Sequence, residues 1–233
     1  MGNILGELIL FDVETQEDIT TFEPHSKRIG CIDWRGDRIA TGSKDGKIAL
    51  FDARKGFRAS YEYRKGNSGE ICGVQFSPNR DLVLSGGNEG KFNVFSAKGN
   101  HCMMKGEHNG AIRGLAWSLS QHNIFYTGGG KNDRKLKKWN YSKKVKVAER
   151  ESRGQICSLA FNQRENLIFS GEGGERCGIS VWREKGLKKI TTLYGHGERI
   201  LGLGILDEGE TVVSGSSDES LRFWKVSGSK SQT

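Results

Sequence analysis

Apolar and polar positions along this chain fall into short runs separated by turn residues, and the runs come in sets. The clearest set lies between Tyr194 and Val226. A Gly195–His196 pair opens it, and an apolar run follows from Ile200 to Ile205. A second run, Thr211 to Ser214, ends in the polar turn Ser216 to Glu219, and a third closes on Phe223 and Trp224. Short runs with turn chemistry between them predict antiparallel strands. The same unit recurs upstream. First-strand runs (IGCIDW, ICGVQF, IRGLAW, ICSLAF, ILGLGI) begin at Ile29, Ile71, Ile112, Ile156 and Ile200. Third-strand runs close on Phe11, Phe51, Phe95, Trp139, Trp182 and Trp224.

A repeat of roughly 40–45 residues, with Gly-His early and an aromatic closing it, predicts a WD-repeat β-propeller. Each unit is a four-stranded blade that cannot bury both faces alone, so neighbours must stack. The fold class is therefore all-β, with five complete blades and a partial leading blade. The propeller domain is placed at residues 5–227, followed by a tail at 228–233. Residues 5–12 read as a third strand and 15–22 as an outer fourth strand, with no first or second strand expected before them. Blades follow near 28–63, 70–105, 111–149, 155–193 and 199–227, the last one strand short.

Composition narrows the reading. Glycine supplies 33 of 233 residues and proline two, Pro24 and Pro78, which suits turn-rich β structure. No apolar run approaches the roughly 18 residues of a membrane span, so no membrane partner is expected. The five cysteines form no CxxC pair. Cys31, Cys72 and Cys157 fall inside first strands and read as buried, reduced thiols, which points to a reducing compartment. The net charge is +8, and lysines crowd 131–138, 143–146 and 185–189. Solvated outer strands explain them; an acidic partner or nucleic acid is the sharper alternative. Base-stacking aromatics are not interleaved with these lysines, so nucleic acid is not expected.

A polar constellation recurs with the repeat. It is His196, Ser214, Asp218 and Trp224 in the last blade, and His108, Thr127, Asp133 and Trp139 in the third complete blade. The first complete blade has His25, Thr41 and Asp45 with Phe51. An enzyme needs one such set with an exposed nucleophile and an oxyanion hole. A set repeated blade after blade is a structural network instead: Asp holds His, His meets Ser or Thr, and the indole N–H finds an acceptor. The second complete blade carries Ser85, Glu89 and Phe95. The fourth has Arg176 at the Asp position, so its network is expected to be broken. No catalysis, cofactor or metal is expected.

The network puts the loop before each first strand and the turn before each third strand on one face. The residue ahead of each first-strand Ile then rims that face: Arg28, Glu70, Ala111, Gln155 and Arg199. This rim is polar, mixed in charge and different in every blade, which suits docking of an extended peptide.

HSKRIGCIDW, SGEICGVQFSPNRDLVLSGGNEGKFNVF, NGAIRGLAWSLSQHNIFYTGGGKNDRKLKKWN, GQICSLAF and ERILGLGILDEGETVVSGSSDESLRFWKV resemble the propeller of the fizzy and fizzy-related proteins. These are the activators that bring substrates to the anaphase-promoting complex, a ubiquitin ligase. The resemblance covers about Gly6 to Val226, and Thr127 to Arg134 is its most specific stretch. It implies a degron-binding receptor with no catalysis of its own, acting in cell-cycle progression in nucleus and cytoplasm. The partners it implies are the ligase and degron-bearing substrates, without homo-oligomers. It further implies that Asn88, Gln155 and Arg199 read a Lys-Glu-Asn degron. Lys131 stands where the family has Thr, and Gly90 where it often has Asn. Glu219 corresponds to a last-blade acid that pairs with the destruction-box Arg. The family propeller has seven blades, so the first blade and half of the second are lacking here, with the ligase-docking motif and the Ile-Arg ending. The reading from another class is a general scaffold propeller in RNA or ribosome assembly, suggested by the basic charge.

Overall fold

The computed structural model describes residues 1–55, 59–63, 69–99 and 101–226; residue 227 and the tail at 228–233 lie outside them. Among the described residues, regular structure is antiparallel strand apart from three single 3₁₀ turns. Two compact units divide the chain, Met1–Ile112 and Arg113–Thr233.

The first unit opens with a strand pair, β1 (Leu8–Phe11) and β2 (Asp18–Phe22). Two four-stranded blades follow. One is built from β3 (Ile29–Arg35), β4 (Arg38–Ser43), β5 (Ile48–Asp52) and β6 (Ala59–Tyr63). The other is built from β7 (Ile71–Phe76), β8 (Leu82–Gly87), β9 (Lys91–Ser96) and β10 (Cys102–Glu107). In the second unit, β11 (Ile112–Trp117), which starts at the boundary residue, joins β12 (Ile124–Gly129), β13 (Lys135–Asn140) and β14 (Val145–Glu151). The next blade contains β15 (Gln155–Asn162), β16 (Leu167–Gly173), β17 (Gly178–Arg183) and β18 (Lys188–Tyr194). The last has three described strands, β19 (Ile200–Leu206), β20 (Thr211–Ser216) and β21 (Leu221–Lys225). Strands pair in chain order within every sheet, as the repeat predicts.

Burial follows position in the blade. The second strands β8 and β12 are buried at every residue, as is β5, whereas the outer strands β14 and β18 are largely exposed. A strand covered on both faces needs a continuous apolar run; an edge strand tolerates lysine. In the first unit Ile48 and Leu50 pack with Ile71, Val74 and Phe76. In the second, Leu136, Ile156, Phe161 and Trp182 share one cluster, and Ile179, Ile200 and Val212 another.

Stacking within each unit rests on one repeated contact. A Cβ placed on Gly42 would lie 2.4 Å from Cγ2 of Ile71, and one on Gly86 2.7 Å from Cγ2 of Ile112. On Gly128 it would lie 2.3 Å from Ile156, and on Gly171 2.7 Å from Ile200. Each of these four second strands thus carries a glycine that seats the first isoleucine of the following blade. Gly2 does the same for Ile29, at 2.7 Å, and bridges to Leu8 as Gly42 pairs with Ile48. No strand precedes β1 among the described residues, as expected, but Met1 and Gly2 stand in the place of a second strand, with Ile9 N–H donating to the Met1 carbonyl at 2.7 Å.

The cysteines need a smaller correction. Cys157 is buried, and burial pushes its thiol up. Cys31 and Cys72 are only half-buried.

Candidate functional site

The turns that carry the predicted site are tied down by the recurring polar sets. In the last blade His196 Nδ1 donates to Asp218 at 2.9 Å, its Nε2 accepts the Ser214 hydroxyl at 2.7 Å, and Trp224 Nε1 donates to Ser214 at 2.8 Å. In the first complete blade His25 Nδ1 lies 3.2 Å from Asp45, and its Nε2 is 2.8 Å from Thr41. Trp139 Nε1 donates to Thr127 at 2.8 Å in the second unit, which also holds Asp133; His108 is buried in the first unit. Ser85 is buried and donates to the Asn93 carbonyl.

The fourth complete blade departs from expectation. Ser152 stands where other blades have His, and its buried Oγ has no hydrogen-bond partner among the described residues. Arg176 stands at the Asp position. Yet Trp182 Nε1 still donates to Ser170 at 2.9 Å, and Ser170 Oγ donates to Glu172 Oε1 at 3.1 Å. Glu172 is 1% exposed and lies two residues along the same strand, so it faces the side that Ser170 faces. The set is rebuilt around a carboxylate rather than broken.

Asp218 gives these sets a pH signature. The Ser220 hydroxyl, then His196 and the backbone N–H groups of Gly197 and Ser220, hold its carboxyl far below the usual aspartate range despite the burial that raises it. A depressed folded value contributes stability above the unfolded-state pKa of about 4, and that contribution drains away as pH falls towards the folded value. Thermal melts below about pH 5 should fall more steeply for the parent than for Asp218→Asn, which removes the titration. At neutral pH, His196→Ala should cost about 1–3 kcal/mol by taking one buried hydrogen-bond partner from each of Ser214 and Asp218. Parallel acid limbs, or an unchanged His196→Ala melt, would remove the network from the stability account.

Four segments of the second unit enclose an open basin of about 950 Å³. Its lining is Lys131 and Arg134 from the β12–β13 turn, Arg153 and Gly154 ahead of β15 with Gln155 at its start, Gly173 at the end of β16 with Gly174, Glu175 and Arg176 of the turn after it, and Arg199 ahead of β19. Glycine lets these loops close on one another. A Cβ on Gly154 would meet the Gly173 carbonyl at 2.2 Å. One on Gly173 would meet Arg199 Cβ at 2.7 Å and Gln155 Nε2 at 2.9 Å. Gln155 pairs with Gly173 in register, which fixes its side chain at the basin wall.

The charge is one-sided: two lysine or arginine side chains come from the first loop, Arg153, Arg176 and Arg199 from the others, and Glu175 is the lone carboxylate in the lining. The Arg153 guanidinium donates to the Tyr194 hydroxyl.

Of the predicted site residues, Lys131, Gln155 and Arg199 share this basin. Asn88 is exposed on a turn of the first unit, its N–H donating to the Glu70 carbonyl at 2.9 Å. Glu219 does not line the basin; it sits exposed on the β20–β21 turn with φ of 63°. In the rim of the first unit, Arg28 and Glu70 form an ion pair with each other. Ala111 is half-buried. Sequence reasoning missed Arg134, Arg153 and Glu175. The signal available was the run of charged residues flanking the rim positions in the same loops.

The WD domain, G-beta repeat model matches residues 16–52, 59–96 and 187–225. The chain is 30% identical over 227 residues to APC/C activator protein CDH1 of Saccharomyces cerevisiae, covering 97% of this chain and 40% of that protein. It is 32% identical to Protein FIZZY-RELATED 2 of Arabidopsis thaliana, covering 97% and 47%. WD repeat-containing protein srw1 of Schizosaccharomyces pombe is 30% identical, covering 100% and 42%. The chain thus spans about half the length of these relatives or less. A chain in the crystal structure of the mitotic checkpoint complex superposes with a TM-score of 0.91 at 28% identity, covering 97% of this chain and 70% of that one. The chain is an all-β WD40-repeat propeller protein, similar over nearly its whole length to fizzy-related proteins and an APC/C activator.

Proposed function

We propose that the chain acts as a degron-reading substrate receptor, an activator subunit of the anaphase-promoting complex that drives cell-cycle progression through targeted protein degradation. It performs no catalysis of its own and works in nucleus and cytoplasm. The observation that carries this reading is the meeting of Lys131, Gln155 and Arg199 at one basin, three positions at which the family resemblance places receptor residues. The chemistry suits a Lys-Glu-Asn peptide. The Arg199 guanidinium pairs with the degron carboxylate, and such charge-assisted bonds are the strong kind. Gln155 offers a donor and an acceptor to the degron amide. Glu219 is proposed to take the destruction-box arginine on its own turn.

The test is fluorescence anisotropy with a labelled Lys-Glu-Asn peptide and a scrambled control. Arg199→Ala should weaken binding about tenfold or more, the loss of one bond to a charged group, and Gln155→Ala should weaken it by a smaller factor. Equal binding by parent and variants, or no preference over the scrambled peptide, would defeat the receptor reading.

A further inference from the structure

The basin holds far more positive charge than one glutamate of a degron requires. Five cationic side chains line it against one carboxylate, and none of the five has an ion-pair partner among the described residues. This is not a shortage of carboxylates. Elsewhere in the same unit Lys135 and Lys146 both reach Glu149, at 3.1 and 2.5 Å, and Arg164 pairs with Glu210 at 2.5 Å. Glu175 lines the same basin, yet it neutralises none of its neighbours. Unpaired arginines converging from separate loops are the chemistry by which acidic or phosphorylated segments are recognised.

The walls argue for a peptide over a nucleic acid. Among the described residues no aromatic ring lines the basin, so they offer no platform for bases to stack on. Gly154, Gly173 and Gly174 line it instead, leaving backbone open to an extended chain. Lys131 and Arg134 stand together on one turn, where they repel a ligand lysine and attract a ligand anion.

We propose that this basin selects peptides with closely spaced negative charge beside the degron, supplied by adjacent Asp and Glu residues or by a phosphorylated Ser or Thr. Arg199 and Gln155 hold the degron, while Lys131, Arg134, Arg153 and Arg176 hold the anionic flank. The inference rests on the receptor reading above and adds a specificity element to it.

The experiment compares three labelled peptides sharing one Lys-Glu-Asn core: one with neutral flanks, one with an Asp/Glu flank and one with a phosphoserine flank. They are titrated against the parent and against the double variant Arg153→Gln/Arg176→Gln, whose thermal melt reports its folding. The anionic flanks should improve affinity about tenfold over the neutral one, and the gain should shrink to about twofold or less in the double variant. It should also shrink as salt screens the exposed basin, a readout that needs no variant. Whichever anionic flank gains more identifies the source of the charge. A neutral-flank peptide that binds while neither anionic flank adds anything overturns this inference and leaves the receptor reading standing. A gain that survives both the double variant and high salt also overturns it. Equal binding of a scrambled acidic peptide, or of single-stranded RNA, makes the basin a general polyanion site and overturns it as well. No binding by any of the peptides defeats the receptor reading and this inference with it.

Discussion

Replacing Glu184 by Ala should cost about 3–5 kcal/mol, more than any substitution in the recurring polar sets, because the buried hydroxyls of Ser118 and Tyr126 lose their acceptor together, with the exposed Ser120 hydroxyl beside them. Glu184 follows β17 and is 2% exposed. Its carboxylate accepts from Ser118 at 2.6 Å, from Ser120, and from Tyr126 at 2.8 Å. Burial by itself raises the pKa of such a group. Here the three hydroxyl donors, with Lys138 nearby, outweigh it and hold the carboxyl below the usual glutamate value. Tyr126 answers in kind: burial first, then the Glu184 charge, pushes its phenol far above the ordinary tyrosine range. A lowered carboxyl pKa means stability that is complete above the usual glutamate value and is lost as pH falls through the folded one. Glu184→Gln keeps one acceptor oxygen, so it should fall between parent and Glu184→Ala, and it should flatten the acid limb of the melt. Chemical denaturation of the three proteins checks the order. Glu184→Ala within about 1 kcal/mol of the parent would mean that the hydroxyls find other acceptors.

Nothing in the sequence pattern pointed to Glu184, and the reason is distance along the chain. Its bond to Ser118 spans 66 residues and its bond to Tyr126 spans 58, neither of which is the length of the repeat. Features that repeat with the period were legible. The strands were, because apolar runs and turn residues are local signals. So were His25–Asp45 and His196–Asp218, because their spacings of 20 and 22 recur. Glu172 was hidden because the expectation looked for a carboxylate in the turn, whereas the fold supplies one from the strand. Gly2 was hidden because one residue forming one bridge makes no strand pattern. The basin was half legible. Periodicity gave Gln155 and Arg199 their shared face, but the convergence of Arg153 and Arg176 on them depends on how tightly Gly154 and Gly173 let their loops close.

The same glycine logic sets the second large effect. Gly128→Val should destabilise by about 3 kcal/mol or more, since overpacking a filled site moves backbone as well as side chain. A first methyl at that position already falls 2.3 Å from Cγ2 and 2.7 Å from Cβ of Ile156, and Ile156 is 1% exposed at the head of β15. Neither partner can yield cheaply: Gly128 is paired to Leu136 in β13, and Ile156 is locked among Tyr126, Leu136 and Phe161. Gly202 provides the control. It also lies in a strand, but a Cβ there meets nothing within 4 Å. Gly202→Ala should be neutral or stabilising by about 0.5 kcal/mol, because the unfolded chain loses freedom without a clash in the folded one. The clash is specific, so it should be relieved from the other side. Ile156→Ala alone leaves a cavity and costs about 2–5 kcal/mol, yet in the Gly128→Val background it makes room for the new side chain. The double variant should therefore be more stable than the sum of the single losses by at least about 1 kcal/mol. Simple additivity, or a Gly128→Val protein that melts with Gly202→Ala, would show that the glycine contact does not set how closely these blades stack.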